Sequence, residues 1–432
     1  MADAQHLRGT QRVLRGVAMS PSYGFFLLAF SLLSFAAGAD APPAFWTDPD
    51  TGHRVIRLTQ EPGSDSFYFN VNGYTPDGKA MVYTTPDGIS VLSLGDLKAR
   101  SLVSGRVKVV VVGQKTPTVY YTKPTSDRLF STLWSTNIDT GETKKLADLP
   151  RRGSISTINA DETLGAGTYL EGDAQAPGNY GGGSPAATGS GRTLNLGEPV
   201  NKGQMMAQRL AARLPITMYT LDLKTGKITS LIEHSTDWLN HLQFSPTDPS
   251  LLLYCHEGIW QHVDRIWTIR TDGSQNQLMH KRTMEMEIAG HEWWGPDGKT
   301  VWYQLQLPRN APGTGYLASV NAETGQRIWY HFEPDAVSIH HNISPDQKLF
   351  AGDGNPGNPW IVLCRPHLVK DDHTLGTGLI KGGYLQTERL VNLSKHNYRL
   401  EPNPSFTPDL KFIVFRSNIF GPDYAFAVQI DK

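Results

Sequence analysis

The chain has 432 residues, 39% of them apolar and 19% charged, with 42 Gly and 28 Pro, a composition that can bury a large core and excludes a disordered chain. Lys and Arg (40) balance Asp and Glu (41) to a formal net charge of −1, which removes the electrostatic case for a general nucleic-acid binder. Two cysteines, Cys255 and Cys364, are too few for a disulfide framework or a structural zinc site and are expected as two buried, unpaired thiols.

Residues 1–39 read as a secretory signal. Arg8, Arg12 and Arg15 precede an apolar run from Gly24 to Ala37, and the segment ends on the small residues Ala37-Gly38-Ala39. The run is shorter than the ~20 apolar residues that a membrane span requires. The expectation is a protein that works in the periplasm or outside the cell, with no membrane association once the signal is cleaved. Residues 40–432 then form a single domain.

Beyond the signal, a turn of the Pro-Asp-Gly kind recurs between β-rich runs. It stands at Thr75-Pro76-Asp77-Gly78, Ser245-Pro246-Thr247-Asp248, Gly295-Pro296-Asp297-Gly298, Ser344-Pro345-Asp346-Gln347 and Thr407-Pro408-Asp409-Leu410. Degenerate copies lie near Gly113-Gln114-Lys115 and Asn159-Ala160-Asp161-Glu162. Runs such as Ala80–Tyr83, Thr118–Tyr121, Leu251–Tyr254 and Thr300–Tyr303 follow as strands. A second marker, as in Asp139-Thr140-Gly141, Lys224-Thr225-Gly226, Asp272-Gly273 and Glu323-Thr324-Gly325, closes a hairpin later in the unit. Pro presets the first turn dihedral, Asp supplies a side-chain acceptor and Gly the positive φ. Two turns per unit of ~50 residues imply an all-β fold, a seven-bladed β-propeller of four-stranded blades. His53–Thr59 supplies the N-terminal strand that closes the ring. One stretch breaks the period: residues 172–213 carry a Gly-rich segment, Gly178–Ser184, then a helical pattern over Gln204–Arg213, expected as a lid over one face.

The repeat also places polar residues. Five positions before the turn proline stand His241, His291, His340 and Asn403 in four successive units, with Val71 in the first, between Asn70 and Asn72. In a propeller the innermost strand of each blade precedes this turn, so these residues converge on one mouth of a central channel, with His341 and Glu401 beside them. Imidazole with carboxylate and amide oxygen suits Mn, Zn, Fe or Ni. The tryptophans 238, 260, 293 and 294 lie next to these positions, as packing aromatics or as platforms for sugar rings. Asp264-Arg265 reads as an ion pair at a strand start. His256-Glu257-Gly258-Ile259-Trp260 is not a zincin motif, because Trp260 holds the second histidine position. The chain has no serine-nucleophile elbow, Walker loop or dinucleotide fingerprint.

Trp238-Leu239-Asn240-His241, Cys255-His256-Glu257-Gly258, Gly290-His291-Glu292-Trp293-Trp294, Gly352-Asp353-Gly354 and Pro404-Ser405-Phe406-Thr407-Pro408-Asp409 resemble, in order and spacing, the oligogalacturonate lyases, seven-bladed propeller polysaccharide lyases. The resemblance runs from about Ala44 to the C-terminus and is strongest after Leu214. It implies β-elimination of short pectic oligosaccharides, an acidic oligosaccharide as partner and a divalent metal, typically Mn, with Ca, Zn, Fe or Ni as alternatives. It assigns His241 as the Brønsted base and His291 as a metal ligand. A His-Pro-His-Pro-Ser-Phe segment of the family, which holds two more ligands, reads here Glu401-Pro402-Asn403-Pro404-Ser405-Phe406. A family glutamine a few residues earlier becomes Tyr398. Glu401, Asn403 and His340 thus complete the expected metal set. The family's charge-neutralising arginine falls near Thr217, so Arg213 or Arg209 is expected in its place. His256, Arg265, Trp294, His341 and Arg209 are the expected substrate contacts. Two other classes stay open: a lyase for another acidic glycan, such as ulvan or rhamnogalacturonan fragments, and a non-catalytic scaffold resembling TolB.

Overall fold

The computed structural model describes residues 42–172, 201–370 and 378–432. The expected signal, residues 1–39, and residues 173–200 of the insertion lie outside the described residues. The turns form for the anticipated reason. Thr75 donates its hydroxyl to Asp77 Oδ1 at 2.7 Å, Ser344 to Asp346 and Thr407 to Asp409 at the same distance. The following strand then starts by donating a backbone N–H back to that hydroxyl, as Ala80 does to Thr75 and Phe412 to Thr407. Later in the units Asn137, Asp222 and Asn321 accept from the backbone of Thr140, Thr225 and Thr324, and Gly141, Gly226 and Gly325 take φ of 71–74°.

Between these turns the chain is all-β, in antiparallel and mostly four-stranded arrays. The first comprises Ala80–Thr85, Gly88–Ser93 and Ala99–Ser104, with Tyr74 bridged to Met81 on its inner side. Lys108–Asp148, Gly153–Ser235 and Trp238–Leu278 hold the next three. An eight-stranded sheet contains two antiparallel arrays, Ile288–His331 and His341–Asn392, joined where Arg327–His331 runs parallel to Lys381–Asn392. In the last array Ser405–Phe406, Phe412–Ser417 and Tyr424–Gln429 are completed by Arg54–Arg57 from the N-terminal side, with Val55 opposite Val428. Phe45–Thr47 adds a fifth strand.

The core lies between arrays rather than within them. Ile89, Val91, Val119 and Tyr121 join the first two. Met218, Leu239, Leu252 and Tyr254 join the third and fourth. Val55, Ile361, Leu363, Ile413 and Phe415 join the sixth and last, and Tyr83, Leu92, Val414 and Ala427 pack the last against the first. Each fully buried Val, Leu, Ile, Phe or Met side chain among these contributes about 1.5–3 kcal/mol. Cys255 and Cys364 are buried and unbonded, as the cysteine count predicts.

The described end of the insertion is the only α-helix among the described residues, Lys202–Ala212. Asn201 caps it by accepting from the Gln204 N–H at 2.8 Å, and Arg213 ends it in the left-handed region. Leu210 lies over Gly258, where an added Cβ would meet it at 3.2 Å, so the helix rests on the fourth array.

Candidate active site

The inner strands open onto a cavity of about 860 Å³, lined from every array: by Asn70, Val109, Ser156, His241, Trp294, Asn342 and Ser405 among others. The chain carries a recurring distortion at matching positions of three repeat units. His241, His291 and Asn403 have φ of 52°, 50° and 51°, three repeat-equivalent residues in the same left-handed conformation. Two sit in β-bulges: register slips by one residue between Asn240 and Gln243 and again between Gly290 and Trp293. Each non-Gly residue held this way costs roughly 1–2 kcal/mol, and such bulges re-aim a side chain out of the strand pleat. The same backbone conformation at three matching positions makes these residues candidates for a site. His340 matches by count but keeps an ordinary φ, its N–H donating to Asp353 Oδ1 at 2.8 Å.

His241 is partly exposed, with Nε2 2.9 Å from Glu257 Oε2. Asn240 donates to the same oxygen at 3.3 Å, and Arg265 donates to Glu257 Oε1 at 2.7 Å. Burial opposes charge on His241, but the hydrogen bond that it donates to Glu257 and the charges of Glu257 and Glu292 outweigh it, so the imidazole pKa is raised. Burial works against the Glu257 carboxylate too, yet Arg265 and His241 hold its pKa well below the usual range. Arg265 stacks 4.7 Å over the Trp260 ring, which meets the His291 ring at a near-right angle with centroids 4.8 Å apart. Gly290 makes room for this indole: a Cβ there would stand 2.9 Å from it. A continuous wall of side chains therefore connects His241 to His291.

His291 and His340 face each other with ring centroids 4.6 Å apart. Gln304 Oε1 accepts from His291 Nδ1 at 2.8 Å, and Asp353 Oδ2 from His340 Nδ1 at 2.8 Å, so both rings present Nε2 as the basic nitrogen. Burial, reinforced by His340, keeps the His291 pKa well below the ordinary imidazole value, in the neutral form that a metal requires. The Tyr68 hydroxyl stands 3.0 Å from His340 Nε2, and Glu401 Oε2 3.8 Å from it. Among the described residues no three His, Cys, Asp or Glu side chains converge in ligand geometry. The donor set nevertheless fits a divalent ion in part. The rings are oriented by their Nδ1 partners, a partly exposed carboxylate adjoins His340, and ligation by His340 would replace its contact with Tyr68.

Other expected residues fall elsewhere. Asn403 is fully buried; its Oδ1 lies 3.4 Å from the Phe69 N–H and its Nδ2 donates to the Glu401 carbonyl, so its amide is engaged with backbone rather than offered to a ligand. Arg265 and His341, expected at the substrate, are 2% and 0% exposed. Arg265 pairs with Glu257 and lies 3.7 Å from Glu292, not with its neighbour Asp264, which holds Arg282. His341 stacks on Phe332, with burial pulling its pKa down to about 4. Trp294 lines the cavity, nearly buried, donating to the Gln243 carbonyl at 3.1 Å. His256 stacks on Trp267 and sits 3.7 Å from Asp237, which also holds Arg213 at 3.2 Å. Of the two helix arginines, Arg209 is thus the one beside the site: its guanidinium lies 4.5 Å over Trp238, within the field of Glu257. Thr217 is buried and donates to Glu171. Glu257, Tyr68, Gln304 and Asp353 escaped the sequence reading as functional residues, although Glu257 and Asp353 stand inside the segments that carry the resemblance.

The family model described as oligogalacturonate lyase matches residues 211–432, just over half of the chain. The chain belongs to the oligogalacturonate lyase family. An oligogalacturonide lyase of Pectobacterium atrosepticum is 24% identical over 91% of this chain and 98% of its own length. An oligogalacturonate lyase of Dickeya dadantii is 29% identical over 49% of this chain and 54% of its own. A solved oligogalacturonate lyase in complex with manganese superposes with a TM-score of 0.69 at 22% identity, covering 90% of this chain and 96% of that one; the enzyme from Vibrio parahaemolyticus gives the same score at 21% identity and the same coverage. At such identity these structures establish the fold. The expected class, a lyase acting on oligosaccharides, is the class of these relatives, and family membership removes the scaffold alternative. The matched residues coincide with the half where the motifs are densest. No helix among the described residues is long and apolar enough to cross a membrane.

Proposed function

We propose that this chain cleaves uronate oligosaccharides of the oligogalacturonate type by β-elimination, with His241 as the base. The observation that carries the reading is His241 held in a left-handed bulge at the rim of the large cavity, 2.9 Å from a buried carboxylate and connected through Trp260 to the imidazole pair. The proton on uronate C5 is α to a carboxylate and only weakly acidic, so its removal requires that carboxylate to be neutralised. Neutral His241 takes this proton. The C–H electrons form the C4–C5 double bond, the glycosidic oxygen leaves C4 with the electrons of the bond that breaks and takes a proton from water, and His241 returns the C5 proton to solvent. Glu257 holds the ring in place and stabilises the imidazolium that forms, and Arg265 keeps Glu257 ionised. Arg209 supplies a positive charge to the substrate carboxylate from the helix, in the role expected of Arg213 or Arg209. A divalent metal, manganese in the solved relative, supplies further neutralisation when bound, and His291, His340 and Glu401 would hold it. Asn403 is reassigned as a positioning residue that braces the Glu401 backbone.

The seven arrays are proposed as blades of a closed propeller, supported by the pairing of Arg54–Arg57 with Tyr424–Gln429 and by the cluster packing the last array on the first. The helix Lys202–Ala212 is proposed as part of a lid, and the leader pattern in residues 1–39 supports a periplasmic or secreted location. His241→Ala tests the reaction: ultraviolet absorbance of the 4,5-unsaturated product is expected to vanish with substrate binding retained, and wild-type turnover would remove His241 as base.

A further inference from the structure

The position just before the one held by His241 recurs in the first and second arrays. Gly113 closes its turn by donating its N–H to the Thr118 carbonyl at 2.7 Å, as Gly295 does to Thr300 at the same distance. Gln114 thus stands where other units carry the turn proline, and Val109 where the fourth array carries His241. Both inner strands also slip register here, between Val109 and Val111 and between Asn240 and Gln243. Lys108 therefore matches Asn240, and Asn70 matches both in the first array. All three line the large cavity together with His241. Lys108 is exposed and forms no ion pair among the described residues, and none of the described residues lining the cavity is Asp or Glu. Arg416, which also lines it, is already engaged: its Nε donates to the Glu401 carbonyl at 2.7 Å, and its guanidinium lies 3.6 Å from Asp65. Lys108 lies outside the matched residues 211–432, and the repeat alone places it.

We propose that Lys108 is a specificity-determining residue that binds the carboxylate of the uronate unit next to the one that loses its C5 proton, with the Asn70 amide meeting a ring hydroxyl beside it. The proposal rests on the lyase reading, which puts a uronate at His241, and adds which neighbour that uronate requires. Every unit of an oligogalacturonate carries a carboxylate, and Arg209 and the metal serve that of the reacting unit alone. The neighbouring unit enters the same cavity, whose volume of about 860 Å³ suits a ligand of more than one ring. The Lys108 ammonium is a compact point charge with three donors, which a carboxylate satisfies and a methyl ester or a neutral hexose does not. The chain therefore selects the free acid at the second unit as well as at the first.

Two ligands test the assignment: digalacturonate, and the same disaccharide methyl-esterified on its non-reducing unit, which keeps its C5 proton. Their binding to the inactive His241→Ala protein is measured by calorimetry with Lys108 intact and with Lys108→Met or Lys108→Arg added. With Lys108 intact the free acid is expected to bind about fivefold more tightly than the ester, since solvent screens a contact at an exposed lysine. Lys108→Met should abolish that preference, and Lys108→Arg should keep it. No preference with Lys108 intact, a preference that survives Lys108→Met, or a fall in both affinities by the same factor overturns the proposal; melting curves confirm that the variants fold. Cleavage of digalacturonate by the wild type is scored separately. Cleavage with a preference indifferent to Lys108 refutes this assignment alone, and a preference lost in Lys108→Met without any cleavage refutes the lyase reading alone.

Discussion

Replacing Glu257 by Gln deletes one negative charge from a side chain 7% exposed while preserving its shape and an oxygen for Arg265. The deleted charge is the main support of protonated His241, whose pKa is lowered by burial but raised beyond that by Glu257 and Glu292, with Arg265 opposing. A hydrogen bond to a charged group is worth about 1.5–3 kcal/mol, and one pKa unit corresponds to about 1.4 kcal/mol. The variant's imidazole is therefore expected to titrate about 1–2 units lower. A base accepts a proton only when neutral, so wild-type kcat/KM should rise with pH through a value above the ordinary imidazole range, and the acidic limb of Glu257→Gln should lie about 1–2 units to the acid side of it. The plateau should fall as well, by up to about a hundredfold, because a less basic and less firmly held ring abstracts the proton more slowly. Initial rates of ultraviolet absorbance from about pH 5 to 9 supply both numbers. An acidic limb at the same pH in both proteins would refute the coupling, even if the plateau fell. The pair also has a stability signature. The Glu257 pKa is lowered on folding, so its contribution is present above its unfolded pKa and is lost as pH falls through the folded one. The variant should lose that part of the acid sensitivity.

Other outcomes follow from the same structure. His291→Ala should carry less manganese than the wild type after loading and desalting, measured by plasma emission; equal occupancy would remove His291 from the ligand set. Val55→Ala should lower unfolding free energy by about 2 kcal/mol in denaturant titration, because Val55 is fully buried in the cluster that joins the N-terminal strand to the last array. An unchanged midpoint would show that this strand does not close the fold.

The arrays and their turns were readable because the markers act locally. A Thr or Ser hydroxyl, an Asp two residues on and a glycine at positive φ build the same turn wherever they occur, and the sheets then follow in order. Counting back from the turn proline placed His241, His291 and Asn403 at matching positions, and the structure gives the three the same left-handed backbone. What the count did not carry was side-chain direction. Asn403 shares the backbone of the two histidines and yet turns its amide to Phe69 and Glu401. Adjacency pairs Arg265 with Asp264, whereas the turn at Trp260–His262 brings it back against Glu257, eight residues earlier. Tyr68 and Asp353 come to His340 from the first array and from across its own hairpin, contacts that exist only once the inner strands have converged. The helix is legible in place, starting two residues before the pattern at Gln204 and ending at Ala212, but which of its arginines faces the site depends on the left-handed end at Arg213, which turns that residue toward Asp237.

The central claim is that the reaction is an elimination at a uronate. Elimination splits the chain without adding water, whereas hydrolysis adds one water for each bond broken. Mass spectrometry of trigalacturonate digested by the purified protein separates the two directly. The account requires products whose masses sum to that of the substrate, one of them a 4,5-unsaturated uronide; products whose combined mass exceeds the substrate by one water would contradict it.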